Sequence, residues 1–131
     1  MPLKSSSSSV IAWPDAASVD RALMEWAYAA AGSRPELRGV GYFGSYARGD
    51  WGVGSDVDVV ILVAASATPF PRRGAEWDLT RLPVPADVLV FTEDEWRSIL
   101  ESGRRFARVA RDELKWVFGP GATGWTTSPT D

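Results

Sequence analysis

The chain has 131 residues, a formal net charge of −3, no cysteine and no histidine, with 45% hydrophobic and 24% charged residues. That length holds one domain, that balance buries a core, and a pI near 5.0 argues against a broad basic face for duplex nucleic acid. Without thiols or imidazoles there are no disulfides, zinc–thiolate sites, histidine bases or Ser-His-Asp triads, so chemistry runs on carboxylates, hydroxyls and backbone, and a metal here is a hard, oxygen-liganded cation such as Mg²⁺ or Mn²⁺.

Residues 1–14, with serines from Ser5 to Ser9, read as a flexible segment lacking the apolar stretch of a secretory signal, which makes the cytoplasm the default compartment. Residues 15–118 are the expected folded domain, and 119–131, rich in Gly, Thr, Ser and Pro, a flexible tail. Ser18 is expected to cap a helix through about Ala31, because Val19, Leu23, Trp26, Ala27 and Ala30 share one face, and Gly32 ends it. Leu37 to Phe43 reads as a strand running into Gly44. Gly44-Ser45 turns the chain into a short helix over 45–48, followed by a glycine-bearing loop over 49–54.

Asp56 to Ala64 reads as a second strand. Its unbroken Val59-Val60-Ile61-Leu62-Val63 needs cover on both faces, which calls for helices packed on a sheet. This longest apolar run is far shorter than the roughly 20 residues that span a bilayer, so no transmembrane helix is expected. Residues 65–85 carry Pro69, Pro71, Pro83 and Pro85 and are expected as a loop with a poor strand over 76–82. Ala86 to Phe91 is a third strand, after which Thr92 and Glu95 form a capping-box pattern for a helix to about Ser102. Gly103 breaks that helix, and Phe106, Val109, Ala110 and Leu114 support a second one ending near 116–118.

Chemistry concentrates between Gly44 and Asp58. Alternate side chains of a strand share a face, so Asp56 and Asp58 lie about 7 Å apart at Cα, close enough to grip shared cations. Two carboxylates so placed are costly unless a cation neutralises them. Gly44-Ser45 leaves a strand to open a helix, a geometry in which free backbone N–H groups attract phosphate oxygens. Taken singly, each has an ordinary reading: a plain turn for Gly-Ser, a solvated strand end for Asp-x-Asp.

Together, Gly44-Ser45, Ala47-Arg48-Gly49 and Ser55-Asp56-Val57-Asp58 resemble the signature of the nucleotidyltransferase superfamily related to DNA polymerase beta, including the short loop between its parts. Val59 stands where leucine is frequent in that family, a tolerated apolar exchange. The resemblance implies an α+β fold with a small mixed β-sheet flanked by helices. It implies that Asp56 and Asp58 bind a pair of divalent metals, and that a third carboxylate on a later strand completes a catalytic set. Asp87 is the candidate, with Glu76 and Asp78 in the proline-bounded loop as alternatives. Gly44, Ser45 and Ser55 would bind the nucleotide.

The implied reaction is Mg²⁺- or Mn²⁺-dependent transfer of a nucleoside monophosphate, AMP from ATP for preference, to a hydroxyl of a protein or small molecule. Arg48 has both a phosphate-pairing reading and a solvated-surface reading and stays outside the catalytic set. Trp51 would stack on a nucleobase or plug its loop. The chain carries no second lobe for an acceptor, so it resembles a minimal nucleotidyltransferase of the kind paired with a helical HEPN-type protein in toxin–antitoxin systems. A homodimer and an antibiotic-modifying role are further options. The alternative to an enzyme is a non-catalytic nucleotide-binding or partner-masking module.

Overall fold

In the computed structural model the described residues are 13–119, so the serine run and most of the expected C-terminal tail lie outside them. Helix α1 (Ala16–Ser33) begins one turn earlier than expected, because Asp15 and not Ser18 is its cap: Asp15 Oδ1 accepts the Ser18 N–H at 2.9 Å. Strand β1 (Leu37–Phe43) leads through Gly44 into the single turn α2 (Ser45–Arg48). Strand β2 (Val57–Val63) follows, then the short helix α3 (Phe70–Arg73) and a 3₁₀ turn over Gly74–Glu76. Strand β3 (Ala86–Thr92), helix α4 (Glu93–Ser102), helix α5 (Arg105–Asp112) and strand β4 (Lys115–Phe118) complete the fold.

The strands form a 4-stranded mixed sheet in the order β3-β2-β1-β4. β1 is antiparallel to both β2 and β4, whereas β2 and β3 run parallel. β2 is central and buried on both faces, as its apolar run requires. Val57, Val59, Ile61 and Val63 pack with Val19, Leu23 and Ala27 of α1, while Val60 and Leu62 pack on the opposite face with Trp96, Phe106 and Ala110 of α4 and α5. The alternation also decides where Asp58 goes: it shares the α5 face with Val60 and Leu62.

Two further expectations fail. Residues 76–82 do not form a strand: Arg34 donates to the Glu76 carbonyl at 3.0 Å, the Trp26 indole to the Asp78 carbonyl at 2.8 Å, and the Leu82 N–H turns back to the Leu79 carbonyl at 3.1 Å, so these groups are taken locally and by α1 and not by a neighbouring strand. Just before them Arg73, only 6% exposed, fastens the α3 turn against β3, its guanidinium donating to the Thr68 and Val90 carbonyls and to both carboxylate oxygens of Glu95. Nor does the last helix run to 116–118: α5 ends at Asp112 and the chain turns back as β4 beside β1. Gly41 makes room for this, since a Cβ there would stand 2.9 Å from the Lys115 carbonyl oxygen and 3.0 Å from the Trp116 ring. The capping box at Thr92 and Glu95 forms as expected, and Gly103 breaks the chain with φ of 67°.

Tryptophans serve mainly as packing. Trp26 meets Trp77 edge-on and donates its indole N–H to the Asp78 carbonyl at 2.8 Å. Trp96 and Trp116 cross at 5.8 Å between ring centres in the α4–α5 layer. No helix among the described residues is long and apolar enough to cross a membrane.

Candidate active site

β1 and β2 are antiparallel, so the end of β1 and the start of β2 meet at one end of the sheet, and the parallel β3 begins beside them. The register pairs Phe43 with Asp58 and Asp58 with Asp87. A pocket of about 610 Å³ opens there, lined by Gly44, Ser45, Ser55, Asp56, Asp58 and Asp87, with Arg48, Arg105, Val109 and Glu113 closing its other side. Asp56 precedes the first residue of β2 rather than lying within the strand. Gly44, Ser45, Ser55, Asp56, Asp58 and Asp87, the residues that the resemblance assigns to catalysis or nucleotide contact, therefore border one concavity.

Gly44 is required by the closeness of that assembly. Its φ of 81° and ψ of −154° suit glycine, and a Cβ on it would stand 2.1 Å from Asp58 Oδ2. Its N–H points to Glu113 Oε2 at 2.6 Å. Arg48 donates to Asp50 at 3.1 Å and to the same Glu113 oxygen at 3.4 Å. The Ser55 hydroxyl oxygen accepts the Gly52 N–H at 2.8 Å, and the Ser55 carbonyl accepts the Trp13 indole N–H, so Ser55 pins the glycine loop as well as lining the pocket. Trp51 lies flat on Tyr46, with ring centres 5.5 Å apart and planes 7° from parallel, and so fills its own loop. The other acidic candidates are engaged elsewhere: Glu76 accepts the Thr68 hydroxyl and Asp78 accepts from Thr80. Neither lines the pocket.

Electrostatically the site is short of positive charge. Burial pushes the Asp58 carboxyl above its ordinary range, and the charges of Asp87, Asp56 and Glu113 push the same way, against the pull of Arg48. As the side chains stand, no three acidic groups among the described residues enclose one point closely enough to hold an ion. The donor set nevertheless fits a hard divalent cation in kind: carboxylate oxygens only, crowded enough to disfavour the charged form of Asp58, with no sulfur or imidazole in the chain. Asp87 also borders a second groove of about 690 Å³, lined with Trp77, Leu82, Val84 and Pro85.

Sequence reasoning missed Arg105 and Glu113. In the sequence Arg105 belongs to an arginine-rich stretch that reads as a solvated helix face; the available signal is that Arg105, Val109 and Glu113 recur every fourth residue, the spacing of a single helical stripe.

A small mixed sheet with a glycine–serine turn and carboxylates at one end is the arrangement that the sequence resemblance implies for a nucleotidyltransferase-type α+β domain. Residues 32–117 match the nucleotidyltransferase domain family, and the chain belongs to it. The fold resembles that of a Sulfolobus solfataricus protein assigned as a nucleotidyltransferase, with 23% identity, a TM-score of 0.54, and 86% of this chain and 87% of that one covered. It also resembles a toxin–antitoxin structure with AMP-PNP, at 18% identity and a TM-score of 0.51, covering 82% and 84% of the two chains. A mutant of the toxin–antitoxin complex MntA–HpeT is similar at 17% identity and a TM-score of 0.50, again covering 82% and 84%. At these identities the structures share a fold. No curated protein matches the chain.

Proposed function

We propose that the protein transfers a nucleoside monophosphate, AMP from ATP for preference, to a hydroxyl acceptor in a reaction that depends on Mg²⁺ or Mn²⁺. The observation that carries this reading is the lateral pairing of Asp58 with Asp87 beside Gly44, within the pocket that also takes in Ser45 and Asp56. Asp56, Asp58 and Asp87 would hold the cations, which supply charge neutralisation at the α-phosphate and at the pyrophosphate leaving group. Gly44, Ser45 and Ser55 would hold the phosphate chain, with Arg48 alongside.

The acceptor oxygen attacks the α-phosphorus, the bond to pyrophosphate breaks, and the hydroxyl proton passes to the Asp87 carboxylate. Asp87 suits that role because it is exposed and faces both the pocket and the neighbouring groove, leaving a route for an acceptor from that side. A carboxylate base also answers the lack of histidine.

The toxin–antitoxin complexes among the similar folds support a protein acceptor, in which the chain acts as the antitoxin and modifies a helical HEPN-type partner. The test is transfer from ATP labelled at the α-phosphate, with the protein co-expressed with its genomic neighbour. Label on the partner that disappears with Asp58→Asn is the expected result. Partner binding that survives Asp56→Asn and Asp58→Asn, with no label in the native protein, would favour the masking module instead.

A further inference from the structure

The Gly44 N–H, a donor expected to meet a phosphate, is already taken by a side chain. Glu113 caps the C-terminal end of α5, and its carboxylate, whose side chain is 20% exposed, reaches across to Gly44 at 2.6 Å and to Arg48 at 3.4 Å. Helix stability does not account for an acid there, because the carboxyl end of a helix carries partial negative charge and favours a cation. Glu113 offsets one charge through its ion pair with Arg48 at 3.4 Å, but the same carboxylate adds to a pocket that already holds Asp56, Asp58 and Asp87. Its carboxylate does occupy the position of an anion: a backbone N–H and a guanidinium meet on one oxygen, the donor set that a phosphate oxygen uses.

We infer that Glu113 is a specificity-determining residue that stands in for a nucleotide phosphate at Gly44 and Arg48, so that only a ligand bearing a phosphate chain can displace it and use those donors. The inference rests on the nucleotidyltransferase reading above. A bare nucleoside has no group to exchange for the carboxylate. A triphosphate makes the exchange, and its affinity is lowered by the charge-assisted bonds it must break. Glutamine at this position keeps the shape and a neutral acceptor oxygen for Gly44 but holds less tightly and does not repel phosphate.

Calorimetric titrations of ATP and of adenosine into the full chain, in Mg²⁺ buffer, test this with the native protein, Glu113→Gln and Asp112→Asn. The last removes a neighbouring charge that does not line the pocket. ATP is expected to bind Glu113→Gln roughly tenfold more tightly than the native protein, with adenosine unaffected and Asp112→Asn behaving as native. Equal or weaker ATP binding by Glu113→Gln, or equal tightening for adenosine, overturns the inference while native ATP binding keeps the nucleotidyltransferase reading intact. Absence of ATP binding in every form removes both. The amide proton resonance of Gly44 reports the same exchange in the unsubstituted protein: ATP should shift it and adenosine should not, and a resonance indifferent to ATP contradicts the role.

Discussion

Asp58 of β2 and Asp87 of β3 are register partners in the parallel half of the sheet, so two carboxylates stand side by side where these strands begin. Because burial and neighbouring acids raise the Asp58 carboxyl, the folded protein binds that proton more tightly than the unfolded chain does. Without a cation, this strain grows as pH rises and Asp58 gives up its proton, and fades as pH falls and Asp58 protonates. Asp58→Asn should therefore raise the thermal midpoint of the chelator-treated protein by a few degrees at pH 7 and by less at pH 4. Calorimetric melts at the two values check it, and a midpoint lowered at pH 7 would contradict the crowding.

Gly44→Ala should disable the site and weaken the fold together. The new methyl group would overlap Asp58 Oδ2, and φ of 81° with ψ of −154° is backbone that alanine adopts only under strain, a cost of about 2 kcal/mol before the clash is counted. Urea unfolding measures the loss. Gly49→Ala is the comparison: its φ is also positive, at 90°, but no atom lies within 4 Å of the added methyl, so its cost should be smaller.

Glu95 both completes the α4 capping box and pairs through two oxygens with the buried Arg73. Glu95→Ala removes a cap worth about 1 kcal/mol and strands a guanidinium, and with Glu95 partly exposed the total should be about 2 kcal/mol. Arg73 holds the Glu95 carboxyl below its ordinary range, so this stabilisation is complete above that range and lost as pH falls through the lowered value. Native and Glu95→Ala proteins should thus converge in stability in acid.

Arg105 lines the pocket on the same helical stripe as Glu113, and its exposed side chain forms no ion pair with a described residue. If the pocket holds a phosphate chain, Arg105→Ala should weaken ATP binding roughly tenfold and leave the melting temperature unchanged. Arg108→Ala, on the same helix but outside the pocket lining, should do neither.

Much of the molecule was legible because local rules and tertiary demands agree there. The Val59–Val63 run needs a doubly covered central strand and receives one, and Thr92 with Glu95 forms the expected box. Gly44, Ser45, Ser55, Asp56 and Asp58 were legible from their pattern, and the register carries Asp87 to the same pocket. What escaped is set by distant contacts. Arg73 fastens residues that proline content alone left as loop, and β4 exists because Gly41 leaves room for Lys115 and Trp116. The visible signal is the pair Gly39 and Gly41 within β1, where an added Cβ would stand 3.3 Å from the Trp116 ring and 2.9 Å from the Lys115 carbonyl oxygen, respectively, so both mark the footprint of the neighbouring strand. Glu113 was hidden for the same reason: its function as a contact depends on a residue 69 positions away.

The most direct test of the account is a titration of ATP into the purified protein with and without Mg²⁺, repeated for Asp58→Asn and Asp87→Asn, following binding heat and pyrophosphate release. The account predicts binding by the native protein that depends on the cation and is lost in both variants, whose folds persist. ATP binding by Asp58→Asn and Asp87→Asn equal to that of the native protein, or indifferent to Mg²⁺, would contradict it.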